Sequence, residues 1–179
     1  MLSQKKASVP ENLISLAKKT SQIPVGIVSA HQSAAMESAK KAFELNLIKP
    51  IFIGDKNGIQ EQAKTLDWDI NSFEIIDQSN DQEAAIIGAQ LARDNEIKVL
   101  VKGNLHTDTL MRAYLKKEFA LIEKRRLSHI WHMTIPNNNK PLFITDGALN
   151  VSPRIDVKMH ILFNAVEFAK KTGVSKPRV

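Results

Sequence analysis

Val99-Leu-Val-Lys-Gly-Asn-Leu-His-Thr-Asp-Thr-Leu-Met-Arg-Ala113 is the stretch on which the fold turns. It continues an apolar run, Ile97 to Val101, that reads as a buried strand. The run breaks into Lys102-Gly103-Asn104, and a helix starts around Thr107-Asp108. Strand, glycine turn and helix N-terminus in succession form a ready anion site, because free backbone N–H groups and the positive end of the helix dipole converge there. Lys102, His106 and Arg112 add side-chain donors. A phosphate-bearing or acidic ligand is the expectation. The plainer reading is a tight connection with Gly103 at positive φ and Thr107 as N-cap. Arg112 is placed either to reach an anion over the helix start or to pair with a nearby acid. Asp108 reads as a helix-start charge balancing the dipole.

The same alternation runs outward from this stretch. Residues 11–20 read as a helix, Pro24–Ser29 as a strand, Ala30–Leu47 as an amphipathic helix and Pro50–Gly54 as a strand. Asn57 to Leu66 reads as a helix, Phe73–Ile76 as a strand, and Asn80 or Asp81 caps a helix reaching Asn95. Beyond the helix from Thr107, Ser128–Ile135 and Pro141–Thr145 read as strands, and Pro153–Thr172 as a final helix closed by Gly173. Strands and helices at crossover spacing predict an α/β fold: an open, mostly parallel sheet with helices on both faces. Ligands of such sheets sit beyond the carboxyl ends of the strands, where Ser29-Ala-His31, Gly54-Asp55 and the 102–108 loop all fall. Pro136-Asn-Asn-Asn-Lys-Pro141 is either a hairpin turn or a domain boundary. The expected division is an α/β domain over 1–136 and the start of a second, incomplete one over 137–179. Lys176-Pro-Arg-Val179 looks like the approach to another strand.

The chain has 179 residues, 43% of them apolar, which suffices for a packed core. It has no cysteine, so disulfides, thiolate metal sites and a cysteine nucleophile are excluded. No apolar run is long enough for a membrane span, and no apolar segment follows the basic Met1-Leu-Ser-Gln-Lys-Lys6 as in a secretory signal. A cytoplasmic address is expected. The net charge of +6 sits mostly at helix faces and ends, without interleaved aromatics, so nucleic acid is not an expected partner. Neither G-x-G-x-x-G nor a Walker A pattern occurs.

Several motifs, in order, resemble the phosphate acetyltransferase / phosphate butyryltransferase family, the butyryltransferase branch more closely. They are Val101-Lys-Gly-Asn-Leu-His-Thr-Asp108 with Arg112, Arg126-Leu-Ser-His129, Lys140-Pro-Leu-Phe-Ile-Thr-Asp-Gly-Ala-Leu-Asn150, and Lys158 to Asn164. The resemblance runs from about Pro24 to Val179. It implies the first domain of an isocitrate/isopropylmalate dehydrogenase-like fold and acyl exchange between coenzyme A and phosphate. Coenzyme A enters as a substrate, and no metal or redox cofactor is implied. Phosphate, acyl phosphate or acyl-CoA would be the ligands.

Carried over residue by residue, Lys102, Gly103, Asn104, His106, Thr107, Asp108 and Arg112 match the phosphate-side motif. Asp108, His129, Asp146 and Asn150 are candidates for the cleft. Family members are longer, and their later half carries much of the coenzyme A cleft, a Ser-Arg pair and the Asp proposed as base for the thiol. Nothing here matches that base, and no residue is assigned as catalytic. The expectation is an incomplete, truncated acyltransferase that works with a complementary C-terminal half or as a homo-oligomer (a dimer). The alternative is an inactive remnant or an oligomeric anion-binding module.

The remaining candidates have plainer readings. His129 and His132 would face opposite sides of a strand, which disfavours a shared metal. His31 and His160 have no clustered partners in the sequence and read as structural or exposed. Asp146, before Gly147, is either a turn-former or a cleft residue.

Overall fold

The structure, a computed structural model, describes residues 9–122, 124–135 and 140–179. The basic start Met1–Lys6 and most of the expected linker at Pro136–Pro141 lie outside these. The elements are α1 (Glu11–Ala17), β1 (Ile23–Val28), α2 (Ser33–Glu44), β2 (Ile48–Gly54), α3 (Lys56–Thr65), β3 (Ile75–Asp77) and α4 (Asp81–Arg93). They continue with β4 (Val99–Lys102), α5 (Thr107–Tyr114), a 3-10 turn (Lys117–Phe119), β5 (Trp131–Thr134), β6 (Pro141–Ile144) and α6 (Ile155–Lys171). Two compact units result: Lys18–Leu121, and Met1–Ala17 with Ile122–Val179.

In the Lys18–Leu121 unit four parallel strands lie in the order β3-β2-β1-β4. Alternation along the strands sorts the core into two layers. Val25 and Ile27 of β1 and Phe52 of β2 pack with Met36 and Ala39 of α2 and Ile59 and Ala63 of α3. Their neighbours Val28 and Ile53 face the other way, onto Ala84, Ala85 and Ala89 of α4 and Ala113 of α5. Helices thus cover both faces, as the alternation predicted. Phe52, fully buried, sits edge-on to Trp68 at 5.7 Å between ring centroids, and Phe43 meets Phe73 at 4.9 Å. The alanine-rich face of α4 lets that helix lie close to the sheet. At Gly88 a Cβ would come within 2.7 Å of Leu100 and 3.0 Å of Val28.

The chain runs from β1 to β2 on one side of the sheet's middle and returns to β4 on the other. The order therefore reverses between β1 and β4, and the crevice beyond their carboxyl ends is the topological switch point.

Several boundaries differ from expectation. α2 begins at Ser33 rather than Ala30, because Ser29, at φ 55°, and the three residues after it turn the chain out of β1. The strand expected over Ser128–Ile135 is confined to Trp131–Thr134. Residues 125–129 instead make hydrogen bonds and an ion pair described below.

In the other unit β5 and β6 pair antiparallel, with His132 opposite Phe143. These rings meet at 5.0 Å, and Phe143 meets Phe168 of α6 at 5.8 Å. The opposite face carries Trp131, Met133, Leu142 and Ile144, which are 59%, 49%, 44% and 46% exposed. No helix of the described residues is long and apolar enough to cross a membrane.

Candidate functional site

Four helices of the parallel unit begin at the carboxyl edge of its sheet, and their first turns are not treated alike. Asp55 caps α3 by accepting from the N–H groups of Asn57 (3.3 Å) and Gly58 (3.1 Å). Asn80 caps α4 by accepting from Gln82 (2.9 Å) and Glu83 (3.1 Å). α2 and α5 begin at Gln32 and His106 with no side-chain cap. These two helices follow β1 and β4, the strands that flank the switch point. The N–H groups that open a helix have no acceptor inside it, so the two uncapped starts leave donors and dipole charge at the crevice.

The 102–108 loop lies here, but not as the sequence was read. The N–H of Gly103 donates to Val28 O (2.7 Å), and that of Asn104 to Ser29 O (2.8 Å). Neither is free for a ligand. Both stitch the loop to the end of β1, whose adjacency to β4 is invisible in the local sequence. Gly103 does not hold a positive φ. It is glycine because a Cβ there would strike the carbonyl oxygens of Ser29 and Val28. The N-cap of α5 is His106, not Thr107. No acceptor is found among the described residues for the N–H groups of Leu105, His106, Thr107 and Asp108.

Lys102 Nζ donates to Gly103 O (3.2 Å) and Leu105 O (2.8 Å). Two of its three hydrogens thus shape the loop, while its charge stays at the crevice. Arg112 pairs with Asp108 one turn earlier (3.5 Å), and both side chains are exposed. With Gln82, Ile86 and Lys116 they line a groove of about 310 Å³ between α4 and α5. Of the two readings of Arg112, the pairing with an acid is the one observed.

Of the two readings of His31, structural or exposed, the structural one is observed. The ring lies 2.9 Å, Nε2 to Nδ2, from the side-chain amide of Asn104. Ser29, buried and in the left-handed region, donates from Oγ to Asp81 Oδ1 at 2.6 Å. A polar chain from the α4 start through Ser29 and Asn104 to His31 therefore crosses the switch point. Sequence placed Ser29 and His31 at this edge but had no signal for their partners, which come from strands and helices distant in the chain.

His129, Asp146 and Asn150 gather in the other unit. Asp146 accepts from the N–H groups of His129 (3.2 Å), Ala148, Leu149 and Asn150 (3.1 Å each), and from the Asn150 side chain. Asn150 Nδ2 also donates to Leu127 O at 2.9 Å. Burial pushes the Asp146 carboxyl up, but the donors from Asn150, Ala148, Leu149 and His129 outweigh it and hold it below its ordinary value. A carboxylate so occupied organises a turn, which is the plainer of its two readings.

His129 precedes β5, stacks edge-on to Trp131 at 4.9 Å, and keeps a buried Nδ1 without a partner among the described residues. α6 binds the 125–128 segment from three successive turns. His160 Nδ1 accepts from the Arg126 N–H (3.1 Å), Asn164 donates to Arg126 O (2.8 Å) and Ser128 Oγ (2.9 Å), and Glu167 meets Arg125 at 2.6 Å. His160, read as structural or exposed, is thus structural, as part of this lacing. No group of three or more His, Asp or Glu side chains among the described residues is placed to hold a metal ion.

An open parallel sheet with its polar residues gathered at the switch point defines an α/β protein of the kind that binds ligands beyond its strand ends. Residues 81–179 match the model of the family described as phosphate acetyl/butaryl transferase, and the chain belongs to that family. It is 35% identical to the phosphate acetyltransferase of Rickettsia typhi (strain ATCC VR-144 / Wilmington), over 87% of this chain and 45% of that one. It is 31% identical to the phosphate butyryltransferase of Clostridium beijerinckii, over 94% of this chain and 56% of that one.

The structure of a branched-chain phosphotransacylase from Enterococcus faecalis V583 superposes with a TM-score of 0.68 at 25% identity, covering 85% of this chain and 52% of that one. A phosphotransacetylase from Streptococcus pyogenes, at 17% identity, shares the fold with a TM-score of 0.75 over 92% of this chain and 59% of that one. The chain spans 42–45% of the length of the three Rickettsia relatives it matches.

Proposed function

We propose that the chain contributes the phosphate side of a phosphate acyltransferase, which converts acyl-CoA and phosphate to acyl phosphate and coenzyme A, and the reverse. The observation that carries this reading is the pair of uncapped helix starts, α2 and α5, at the switch point where the family motif also falls. A phosphate dianion suits unpaired N–H groups at the Leu105–Asp108 turn, the hydroxyl of Thr107 and the charge of Lys102. In the direction of thioester synthesis the coenzyme A thiolate attacks the acyl carbon, the C–S bond forms, and the C–O bond to phosphate breaks. Donors already fixed on the phosphate stabilise it as it leaves. Family membership supports the substrates, acetyl and butyryl phosphate among them. The Lys18–Leu121 unit is read as the first domain of an isocitrate/isopropylmalate dehydrogenase-like frame.

The test is thioester formation from coenzyme A with acetyl phosphate and then butyryl phosphate. It is run on the chain alone and with a polypeptide carrying the C-terminal half of a longer relative. Turnover that falls in Lys102→Ala supports the reading, and no turnover in either arm overturns it. A second reading, an oligomeric anion-binding module, is favoured by the exposed apolar face of β5 and β6. Light scattering that finds a monomer, with no association with the complementary half, removes it.

A further inference from the structure

Resting on the reading of 102–108 as the phosphate loop, we propose that His31 is a positioning residue for that loop, acting through Asn104 as a hydrogen-bond acceptor. The Asn104 amide nitrogen has only hydrogens to offer, so the His31 Nε2 that it meets at 2.9 Å accepts. A neutral ring accepting there carries its proton on Nδ1. That nitrogen is buried and finds no partner among the described residues. A buried donor left unsatisfied costs stability, and its retention calls for a reason. The reason lies at the other ring nitrogen.

Asn104 is held on two sides: its backbone N–H goes to Ser29 O and its side chain to His31. Ser29 is itself anchored through Ile53 O at 2.7 Å and Asp81 at 2.6 Å. The backbone bond fixes where residue 104 sits, and the side-chain bond fixes its rotation. From there the chain enters Leu105–Asp108, whose free N–H groups would meet the phosphate. The Cβ of His31 lies beside the start of α3, 3.0 Å from where a Cβ on Gly58 would stand. The His31 side chain thus reaches from beside the α3 start to the loop after β4. It contacts the loop and not the ligand's donors.

The experiment uses the full chain and three variants, His31→Leu, His31→Gln and Asn104→Asp. Nitrogen-15 spectra read the His31 tautomer above the ordinary histidine titration range, and inorganic phosphate is titrated against the backbone amides of residues 105–108. We expect the Nδ1–H tautomer in the unaltered chain, and its switch to Nε2–H in Asn104→Asp, where an oxygen replaces the donor. His31→Leu weakens phosphate binding by about tenfold, the loss expected for one hydrogen bond. His31→Gln, whose amide oxygen can also accept from Asn104, restores most of it.

An Nε2–H tautomer in the unaltered chain overturns the proposal, as does a glutamine variant no better than the leucine one. Should His31→Leu not fold, the tautomer and its response to Asn104→Asp still decide. If phosphate moves no amide of the unaltered chain, the phosphate-loop reading falls. The positioning role is then judged by whether His31→Leu, and not His31→Gln, deprotects the Gly103 and Asn104 amides against hydrogen exchange.

Discussion

The four-stranded sheet and the β5–β6 pair obey the same two-residue alternation and arrive at opposite surfaces. In the first, Phe52 and Ile53 point to opposite faces and both are fully buried, because α2 and α3 cover one side and α4 and α5 the other. In the second, His132 and Phe143 pack toward α6, while Trp131, Met133, Leu142 and Ile144 stay exposed. An apolar strand residue is therefore no guide to burial by itself. What decides is whether the chain supplies a layer for each face.

Substitution by alanine in the two sheets tests this difference most strongly. Phe52→Ala should cost about 3–5 kcal/mol, the range for emptying a buried aromatic site, measured by urea denaturation. Trp131→Ala, which loses the edge contact with His129 but little buried surface, should cost about 0.5–1.5 kcal/mol. Comparable losses at the two sites would mean that the β5–β6 face is covered in solution.

A pair of glycines sharpens the contrast. Gly103→Ala drives a Cβ into backbone carbonyls, an overpacking worth about 2–3 kcal/mol. At Gly147 the nearest atoms to a Cβ are His129 Nδ1 at 3.6 Å and the Trp131 ring at 3.7 Å, so Gly147→Ala should be tolerated. Equal melting temperatures for the two variants would refute the stitching of the loop to β1.

Two aspartates come next. Asp146→Asn keeps the shape but loses the charge that four N–H groups address, and we expect a loss of about 1–2 kcal/mol at neutral pH. Because the folded carboxyl titrates below its ordinary 3.8, its contribution is complete above that value and disappears as pH falls through the lower folded one. The unaltered chain should therefore lose stability in acid more steeply than Asp146→Asn, as read by thermal melts across pH. Asp108→Asn, which removes one partner of an exposed pair with Arg112, should change stability at neutral pH by less than about 1 kcal/mol.

The smallest expected effect concerns the caps. Asn80→Ala should cost about 1 kcal/mol, and His106→Ala, with no capping bond to lose, less than about 0.5 kcal/mol. Similar costs would mean that His106 caps α5 after all.

Much of this was legible in the sequence. Apolar runs at Pro24–Ser29 and Pro50–Gly54, each followed by a helical segment, announce crossover units, and Asn80 or Asp81 announces a cap. The edge that carries the site was legible too, since Ser29–His31, Gly54-Asp55 and 102–108 all follow strands. The partners across that edge were not. Which strand lies beside β4 is a property of the whole sheet, so the occupation of the Gly103 and Asn104 N–H groups, and the His31–Asn104 bond, left no local trace. The lacing of Arg125–Ser128 to His160, Asn164 and Glu167 was hidden for the same reason. Each half reads as an ordinary surface pattern alone.

The pairing of Val25 with Val99 has a kinetic consequence. It closes a loop that contains β2, β3 and three helices, whereas β1 and β2 meet across a single helix. Loop-closure entropy delays the longer pairing. The pairing that builds the crevice and gathers its anion donors is thus entropically more expensive to close than the pairing of β1 with β2.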